Sequence, residues 1–292
     1  MAKWTAADIP DQTGRTIVVT GANSGLGAVT ATELARAGAH VVVACRDTAK
    51  GERAAARMPG SAEVRRLDLA DLASVGEFAA GTGQIAVLVN NAGVMATPLR
   101  RTRDGFELQI GTNHLGHFAL TGLLLDRISD RVVTVSSSAH RLGRIRLDDL
   151  NWEHRRYQRW LAYGQAKLAN LLFTYELQRQ LAAAGSTRTA LAAHPGYAAT
   201  NLQSHTESIQ GRLMGTANRV LAQSAEMGAL PTLYAATVAD LPGGSYIGPD
   251  GPFEQRGYPK RVRSNKRSHD EVTAAGLWTL SQTLTGVTIT VA

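Results

Sequence analysis

The sequence contains a single cysteine and no long apolar run. Cys45 is the only cysteine in 292 residues, so no disulfide can form within the chain. No stretch of eighteen apolar residues is present, which predicts that no helix spans a membrane. Residues 1–11 contain two aspartates and no apolar core, unlike a secretory signal. Together these absences predict a cytoplasmic protein, because a reducing compartment does not support structural disulfides.

Aromatic residues are scarce at 5% and charged residues make up 19%, whereas 44% of the chain is apolar. This composition is typical of a soluble globular protein with a large core. The formal net charge is +7, and the basic residues cluster in 141–146, 155–159 and 256–267. No aromatic residues are interleaved with them in a stripe, so we expect no nucleic-acid binding. The charge predicts a solvated basic surface or attraction of an anionic cofactor or substrate.

Short β-branched runs alternate with amphipathic stretches along the whole chain. This rhythm predicts an α/β fold in one domain, residues 1–292, with a doubly wound parallel sheet and helices on both faces. The predicted strands are 16–20, 40–45, 63–67, 85–90, 131–136, 188–193 and 245–247. The predicted helices include 28–37, 48–58, 72–78, 111–125, 163–181, 225–238 and 270–283.

A glycine-rich turn follows the first predicted strand and precedes a helix. Its spacing is G-x-x-x-G-x-G, and its candidate ligand-binding residues are Gly21, Asn23, Ser24, Gly25, Leu26 and Gly27. Glycines let the backbone approach a pyrophosphate, and the helix N-terminus offers free N–H groups. A glycine turn without a ligand is the alternative, but the flanking strand and helix favour a dinucleotide site.

The end of the second strand predicts which dinucleotide binds. An enzyme that uses NAD places a carboxylate at the end of this strand, where it accepts hydrogen bonds from the ribose hydroxyls. In this sequence that position is Cys45, and Arg46 follows it. The planar guanidinium of Arg46 suits a 2′-phosphate, so we predict NADP(H). A shift of one or two residues would bring Asp47 to the ribose instead, in which case NAD(H) would bind.

Further candidate cofactor-binding residues follow two more strands, at the carboxyl ends where open α/β sheets bind ligands. These residues are Asp68, Leu69, Asn91, Ala92 and Gly93. The helix predicted after them carries His114 and His117, whose spacing is compatible with zinc. No cysteine or carboxylate has matching spacing, so we predict no metal site and expect both histidines to be packed or capping residues.

Tyr163 and Lys167 are four residues apart, which places them on one face of a helix. A lysine cation favours the phenolate and so lowers the pKa of a neighbouring tyrosine. A hydroxyl from Ser136, Ser137 or Ser138, at the end of the fifth strand, could hold a substrate oxygen against the tyrosine. Such a group of residues moves protons to or from an alcohol or carbonyl.

Two long segments flank this helix on the substrate side. Residues 139–161 form an insertion, and residues 197–222 are polar and predict a lid over the site. The Tyr163 helix is apolar on more than one face. A homodimer could bury its outer face, or the insertion could cover it.

These motifs, in this order over roughly residues 14–250, resemble the short-chain dehydrogenase/reductase family. The segments 44–47 and 113–118 and the insertion resemble its retinol-dehydrogenase-like branch, which includes enzymes acting on bulky apolar carbonyls. The resemblance implies a Rossmann fold and a carbonyl reductase or alcohol dehydrogenase with an apolar substrate. It also implies that Pro195, Gly196 and Thr200 hold the nicotinamide.

The resemblance further assigns a role to each residue of a catalytic tetrad. It implies that Tyr163 exchanges the proton and that Ser137, with Ser138 as the runner-up, orients the substrate oxygen. Lys167 would lower the pKa of Tyr163 and hold the nicotinamide ribose, and Asn113 would support a proton path to Lys167. A catalytically silent dinucleotide sensor or scaffold on the same fold is the competing hypothesis.

Overall fold

One sheet of eight strands organises the computed structural model, which describes residues 3–197 and 223–291. The strands are β1 Thr16–Thr20, β2 His40–Cys45, β3 Ser61–Arg66, β4 Ile85–Asn90, β5 Ile128–Val135, β6 Thr189–Ala193, β7 Tyr246–Pro249 and β8 Pro259–Arg261. Their spatial order is β3-β2-β1-β4-β5-β6-β7-β8. The strand order reverses between β1 and β4, which opens a crevice at the carboxyl ends of the strands.

Helices cover both faces of this sheet. The α-helices are α1 Gly25–Arg36, α2 Thr48–Ala55, α3 Leu72–Ala80, α4 Leu108–Ile110, α5 Gly116–Leu124, α6 Arg159–Ala183, α7 Ala225–Thr237 and α8 Glu271–Thr285. Short 3-10 helices are Ala6–Asp8, Leu125–Arg127, Ser138–Leu142, Leu147–Asp149, Pro252–Glu254 and Lys266–His269. Because both faces are covered, the strand residues that pack into the two main cores are apolar and alternate between them. The predicted α/β fold is confirmed.

The last strand departs from the predicted parallel arrangement. Strands β1–β7 pair in parallel, but β8 pairs antiparallel with β7 at the edge of the sheet. Its three residues include a proline and two exposed cations, Lys260 and Arg261, and lack the apolar run that predicts a strand. Charged side chains on an edge strand discourage pairing with another chain.

The helix predicted over 111–125 is interrupted by a wider turn. Residues Gly111–Leu115 form a π-helix between α4 and α5, with the N–H of Gly116 donating to the carbonyl of Gly111. Such insertions occur often at functional sites, and Asn113 lies at the centre of this one. Other element boundaries differ from the predictions by a few residues, since α1 begins at Gly25 and β5 begins at Ile128.

The C-terminal helix α8 covers the outer face of α6. Leu168 and Leu172 of α6 belong to one buried cluster with Ala274 and Leu277 of α8. The rings of Phe173 and Trp278 stack with centroids 5.8 Å apart. The face that the sequence assigned to a second subunit or to the insertion is therefore packed against the chain's own C-terminal helix.

This packing leads to a prediction about assembly. We expect the protein to be a monomer, because a dimer formed through α6 would have to displace α8 from an apolar interface. Light scattering on the eluting peak of a sizing column should give about 31 kDa, the mass of one chain of 31.1 kDa. A mass near twice that value at micromolar concentration would contradict the prediction.

No helix within the described part of the chain is long and apolar enough to cross a membrane. Of the predicted lid, residues 197–222, only Tyr197 belongs to the described residues. Thr200 also lies outside them, so its predicted contact with the nicotinamide stays a prediction.

Candidate active site

A cleft of about 500 Å³ lies at the carboxyl ends of the central strands. It brings together most of the residues that the sequence assigned to the cofactor, although they are spread over some 170 positions. The predicted residues that line it are Gly21, Asn23, Ser24, Gly25, Leu26, Gly27, Arg46, Asp68, Leu69, Asn91, Ala92, Gly93, Tyr163, Lys167 and Pro195. Asn113, Ser137 and Gly196 do not line it.

The glycine turn between β1 and α1 has the shape of a phosphate cradle. Gly21 and Gly25 adopt φ of +68° and +55°, which favours glycine. A Cβ on Gly27 would lie 2.5 Å from the carbonyl oxygen of Gly21, so only glycine fits there. Ser24 caps α1 without a side-chain hydrogen bond, which leaves the first N–H groups of the helix available to an anion. The residues present therefore fit a dinucleotide pyrophosphate.

Thr20, at the end of β1, fixes the turn that follows β4. Its Oγ1 accepts hydrogen bonds from the N–H groups of Asn91 and Ala92, both at 2.9 Å. The Asn91 side chain donates back to the carbonyl of Thr20 at 2.7 Å. The cofactor-facing segment from Asn91 to Gly93 is therefore held against the glycine turn. This role of Thr20 is not evident from the sequence, because only the pairing of β1 with β4 reveals it.

Asn113 supports the same segment from the other side. Its Oδ1 accepts from the N–H of Val94 at 2.8 Å, and its Nδ2 donates to the carbonyl of Val94 at 2.9 Å. A Cβ on Gly93 would lie 3.0 Å from Asn113 Oδ1 and 3.7 Å from Lys167 Nζ. Asn113 is thus beside Lys167 but uses its amide to hold the backbone. Its predicted part in a proton path stays a prediction.

The two histidines after Asn113 are buried packing residues, as expected. Burial lowers the pKa of His117 to about 4 and that of His114 to about 3, so both are neutral. His117 Nδ1 donates to the carbonyl of Asn113 at 3.0 Å, and its Nε2 lies 2.9 Å from Thr20 Oγ1. Within residues 3–197 and 223–291, no three His, Cys, Asp or Glu side chains are grouped to hold a metal.

The two candidate ribose partners after β2 have different environments. Asp47 caps α2, with its Oδ1 accepting from the N–H of Lys50 at 3.0 Å. Arg46 is exposed and lines the cleft. Cys45 is buried, and burial raises the pKa of its thiol to about 11, so it stays protonated. Both Arg46 and Asp47 line the cleft, and the helix cap engages Oδ1 of the Asp47 carboxylate.

Ser136 and Ser137, which follow β5, have different environments. Ser136 is buried, and its hydroxyl donates to the carbonyl of Lys167 at 2.8 Å, so it serves to dock α6 on the sheet. Ser137 begins the next 3-10 helix, and its Oγ accepts from the N–H of Ala139. The Ser137 side chain is also within hydrogen-bonding reach of Tyr163, where it lowers the phenol pKa. Of the pair Ser136 and Ser137, the second is therefore the one next to the tyrosine.

Tyr163 and Lys167 lie on one buried face of α6, but the pKa shift of Tyr163 differs from the prediction. Burial raises the pKa of Tyr163 to about 12, an effect that the Ser137 hydrogen bond only partly offsets. Lys167 Nζ lies 5.8 Å from the Tyr163 ring centroid and donates to the carbonyl of Val135 at 2.9 Å. The net shift of the Tyr163 pKa is thus upward, because desolvation of the phenolate outweighs the hydrogen bond from Ser137. Burial also lowers the pKa of Lys167 to about 8.

Comparison with known proteins agrees with this geometry. The family model for short chain dehydrogenases matches residues 15–210. Retinol dehydrogenase 13 from Homo sapiens is 42% identical over 293 residues, which cover 94% of this chain and 85% of the relative. A solved structure of an uncharacterized protein from Mycobacterium Paratuberculosis is 57% identical with a TM-score of 0.88, covering 99% of this chain and 100% of that one.

A more distant structure carries a dinucleotide. It is named as an NAD(P) dependent gluconate 5-dehydrogenase from Beutenbergia cavernae with NADP bound at low occupancy. It is 28% identical with a TM-score of 0.63, over 80% of this chain and 94% of that one. The family match, the Rossmann fold and the dinucleotide-shaped cleft agree. The chain therefore belongs to the short-chain dehydrogenase family of oxidoreductases and is similar to its retinol dehydrogenases.

Proposed function

We propose that this protein is an NADP(H)-dependent oxidoreductase that interconverts a carbonyl compound and an alcohol. The observation that carries the proposal is the position of Tyr163 and Lys167 in the same cleft as the glycine cradle. A proton-transfer pair and a dinucleotide site that share one cleft suit hydride transfer to a small molecule.

In the proposed reaction, NADPH held by the glycine cradle and Arg46 would supply the hydride that the carbonyl carbon gains. Tyr163 donates its hydroxyl proton to the carbonyl oxygen, so that the product is an alcohol and the phenolate is reprotonated from solvent. Ser137 orients that oxygen towards Tyr163. A phenol with a pKa of about 12 is fully protonated near neutral pH, which is the form needed to reduce a carbonyl.

Lys167 and Asn113 have supporting roles in the proposed reaction. Lys167 is a buried cation below about pH 8, so it stabilises the phenolate that forms when Tyr163 loses its proton. Asn113 holds the Val94 backbone beside Gly93 and so keeps this wall of the nicotinamide site in place.

The preference for NADP(H) rests on the two residues after Cys45. The cap that Asp47 provides to α2 stabilises a helix terminus by about 1 kcal/mol, which a turn towards a ribose would forfeit. Arg46 offers an exposed planar guanidinium at the cleft, and a fork of this kind binds a 2′-phosphate with two hydrogen bonds.

Replacing Arg46 tests this assignment. In Arg46→Ala we expect the Kd for NADPH to rise about tenfold or more, because a charge-assisted contact contributes about 1.5–3 kcal/mol. The Kd for NADH should change little. Titration of nicotinamide fluorescence measures both constants, and Arg53→Ala, which removes another exposed arginine from α2, is the matched control.

The proposal can be contradicted at two levels, by the titration and by an activity screen. If NADH binds the wild-type protein as tightly as NADPH, the NADP(H) preference is wrong and Asp47 becomes the candidate ribose partner. If either cofactor binds but a broad panel of aldehydes, ketones and alcohols gives no turnover, the dinucleotide-sensor hypothesis is favoured instead.

A further inference from the structure

A buried histidine lies directly behind the serine of the candidate site. His140 belongs to the 3-10 helix Ser138–Leu142 and is fully buried. Its Nδ1 is 2.7 Å from the carbonyl oxygen of Ser137. Because a carbonyl oxygen only accepts hydrogen bonds, Nδ1 carries the proton and donates it. The imidazole therefore holds the backbone of the residue whose hydroxyl is within reach of Tyr163.

The other ring nitrogen of His140 faces the C-terminal part of the chain. Its Nε2 accepts a hydrogen bond from the N–H of Asn265 at 3.3 Å. This contact needs an unprotonated Nε2, so the two partners of the ring select the same neutral tautomer. Burial lowers the pKa of His140 to about 4, which keeps the ring neutral near pH 7. The imidazole thus links Ser137 to a residue that lies 125 positions after His140.

Asn265 is fixed relative to the helix that carries Tyr163. The residue before it, Ser264, has its Oγ 2.8 Å from the hydroxyl of Tyr175, which lies on α6. His269, four residues after Asn265, stacks on the Tyr175 ring with centroids 4.7 Å apart. The anchor of the His140 ring is therefore attached to α6, the same helix that holds the proposed proton donor.

Ser137 depends on such an anchor because it lies outside the helix that follows it. Its backbone is extended, with φ −158° and ψ 156°. The helix after it approaches α6 closely, since a Cβ on Gly143 would lie 2.3 Å from the carbonyl oxygen of Gly164, the neighbour of Tyr163. A small shift of the Ser137 backbone would carry its hydroxyl away from the phenol, and a misplacement of about 1 Å costs up to about 10²-fold in rate.

We propose that His140 is a positioning residue, which fixes Ser137 through Nδ1 and is itself fixed by Asn265 through Nε2. The inference rests on the proposed function, because it takes Ser137 as the group that orients the substrate oxygen towards Tyr163. His140 neither touches the substrate nor exchanges a proton in this reaction. Its contribution is the direction of the Ser137 hydroxyl, so it affects turnover and leaves dinucleotide binding unchanged.

The first test separates turnover from cofactor binding in His140→Phe. Phenylalanine keeps a planar ring beside Tyr246, whose centroid is 5.8 Å from that of His140, but it has no nitrogen to donate. With NADPH and decanal as substrates, kcat should fall about 10- to 100-fold. The Kd for NADPH should stay within about twofold of wild type, because the glycine turn and Arg46 are untouched.

Rescue by asparagine distinguishes positioning from a loss of packing. The Nδ2 of asparagine occupies the place of the imidazole Nδ1, so His140→Asn keeps a donor for the Ser137 carbonyl. The smaller side chain leaves a cavity beside Tyr246, and the urea midpoint should fall below that of wild type. We nevertheless expect kcat to recover to within about fivefold of wild type. A loss of kcat as large as in His140→Phe would contradict the proposal.

A double-mutant cycle shows whether His140 acts through Ser137. Ser137→Ala removes the hydroxyl and lowers kcat by itself. Adding His140→Phe to Ser137→Ala should then cost less than about threefold more, because no hydroxyl is left to position. The same fold loss in both backgrounds would overturn the proposal, and so would a kcat in His140→Phe within twofold of wild type.

His269→Phe is the matched control, because it keeps the stack on Tyr175 in the same C-terminal segment. Its kcat should equal that of wild type. If His140→Phe fails to bind NADPH, His140→Gln replaces it in each comparison, since glutamine has no donor at the place of Nδ1.

Hydrogen exchange covers failure of the proposed function. The N–H groups of Ala139 and His140 donate to Ser137 Oγ at 3.2 Å and to the Ser137 carbonyl at 3.0 Å, so their protection reports on the position of Ser137. If the wild-type protein does not reduce decanal, exchange of residues 137–143, followed by mass spectrometry, decides the inference. It should be at least about tenfold faster in His140→Phe and close to wild type in His140→Asn. Equal exchange in the wild type and His140→Phe would show that His140 does not position Ser137.

Discussion

Replacing Tyr163 with phenylalanine is expected to lower kcat for carbonyl reduction by about 10²–10⁴, the usual contribution of a positioned general acid. The ring and its contact with Trp160 are kept, and only the hydroxyl beside Ser137 is lost. Binding of NADPH should therefore stay within a fewfold of wild type, because the glycine cradle and Arg46 are untouched. Steady-state kinetics and a fluorescence titration of the same preparation separate the two effects.

Tyr175→Phe is the matched control for this substitution. Tyr175 also lies on α6 and is buried, and its hydroxyl is 2.8 Å from Ser264 Oγ, remote from the cleft lining. We expect its kcat to match wild type. Near-normal turnover in Tyr163→Phe would show that another group delivers the proton and would remove the central element of the proposed function.

Replacing Lys167 with methionine is expected to reduce activity and raise stability together. Turnover should fall by about 10² or more, because the cation that stabilises the Tyr163 phenolate is lost. The free energy of unfolding at pH 7 should rise by about 3 kcal/mol. The reason is that burial lowers the pKa of Lys167 from 10.5 to about 8, and each unit corresponds to about 1.4 kcal/mol.

No unpaired group is left behind by this substitution. The carbonyl of Val135, which accepts from Lys167 Nζ, also accepts from Asn170 Nδ2 at 3.1 Å. Methionine has a length similar to lysine and suits a buried position. The expected gain is therefore not offset by the cost of an unsatisfied buried acceptor.

The pH dependence of this gain has a definite sign. The folded-state pKa of Lys167 lies below the unfolded value, so the unfolded state binds the proton more tightly, and charge burial destabilises the wild-type protein below about pH 8. Between pH 8 and about 10.5 the wild type recovers this stability. The advantage of Lys167→Met should therefore shrink as the pH rises through that window.

Urea unfolding of the cofactor-free protein at several pH values measures this difference. Lys260→Met removes an exposed lysine of β8 and should change neither stability nor turnover. A Lys167→Met protein that is less stable than wild type at pH 7, or an advantage that grows with pH, would contradict the prediction.

Short-range patterns in the chain predicted the alternation of strands and helices. Runs such as Ile85–Asn90 and His40–Cys45 are apolar because parallel strands are covered on both faces, and they were located to the residue. The predicted element boundaries were less accurate where they depend on how a helix is capped or on whether it forms an α-helix or a π-helix. The helix after the glycine turn starts at Gly25 rather than Ala28, and Gly111–Leu115 winds as a π-helix whose width no periodicity indicates.

The pairing of β8 and the covering of α6 by α8 were beyond a sequence-based prediction. Both depend on contacts between segments about 10 to 110 residues apart, such as Ile247 with Arg261 and Phe173 with Trp278. Nothing in the local sequence of a three-residue strand, or of the outer face of a helix, indicates which segment will pair with it or pack against it. A homodimer and cover by the insertion were both considered because the sequence does not show that α8 packs on this face.

The sequence by itself determined the fold class, most of the residues that line the cleft and the family of the protein. It could do so because these depend on local patterns at strand ends, which parallel pairing necessarily gathers at one edge of a sheet. Tertiary structure alone decided the pKa values of Tyr163 and Lys167, the engagement of Asp47 and Ser136 in structural hydrogen bonds, and the contact of His140 with Asn265. Desolvation and hydrogen bonding depend on what surrounds a side chain in space, and most of those neighbours are distant in sequence.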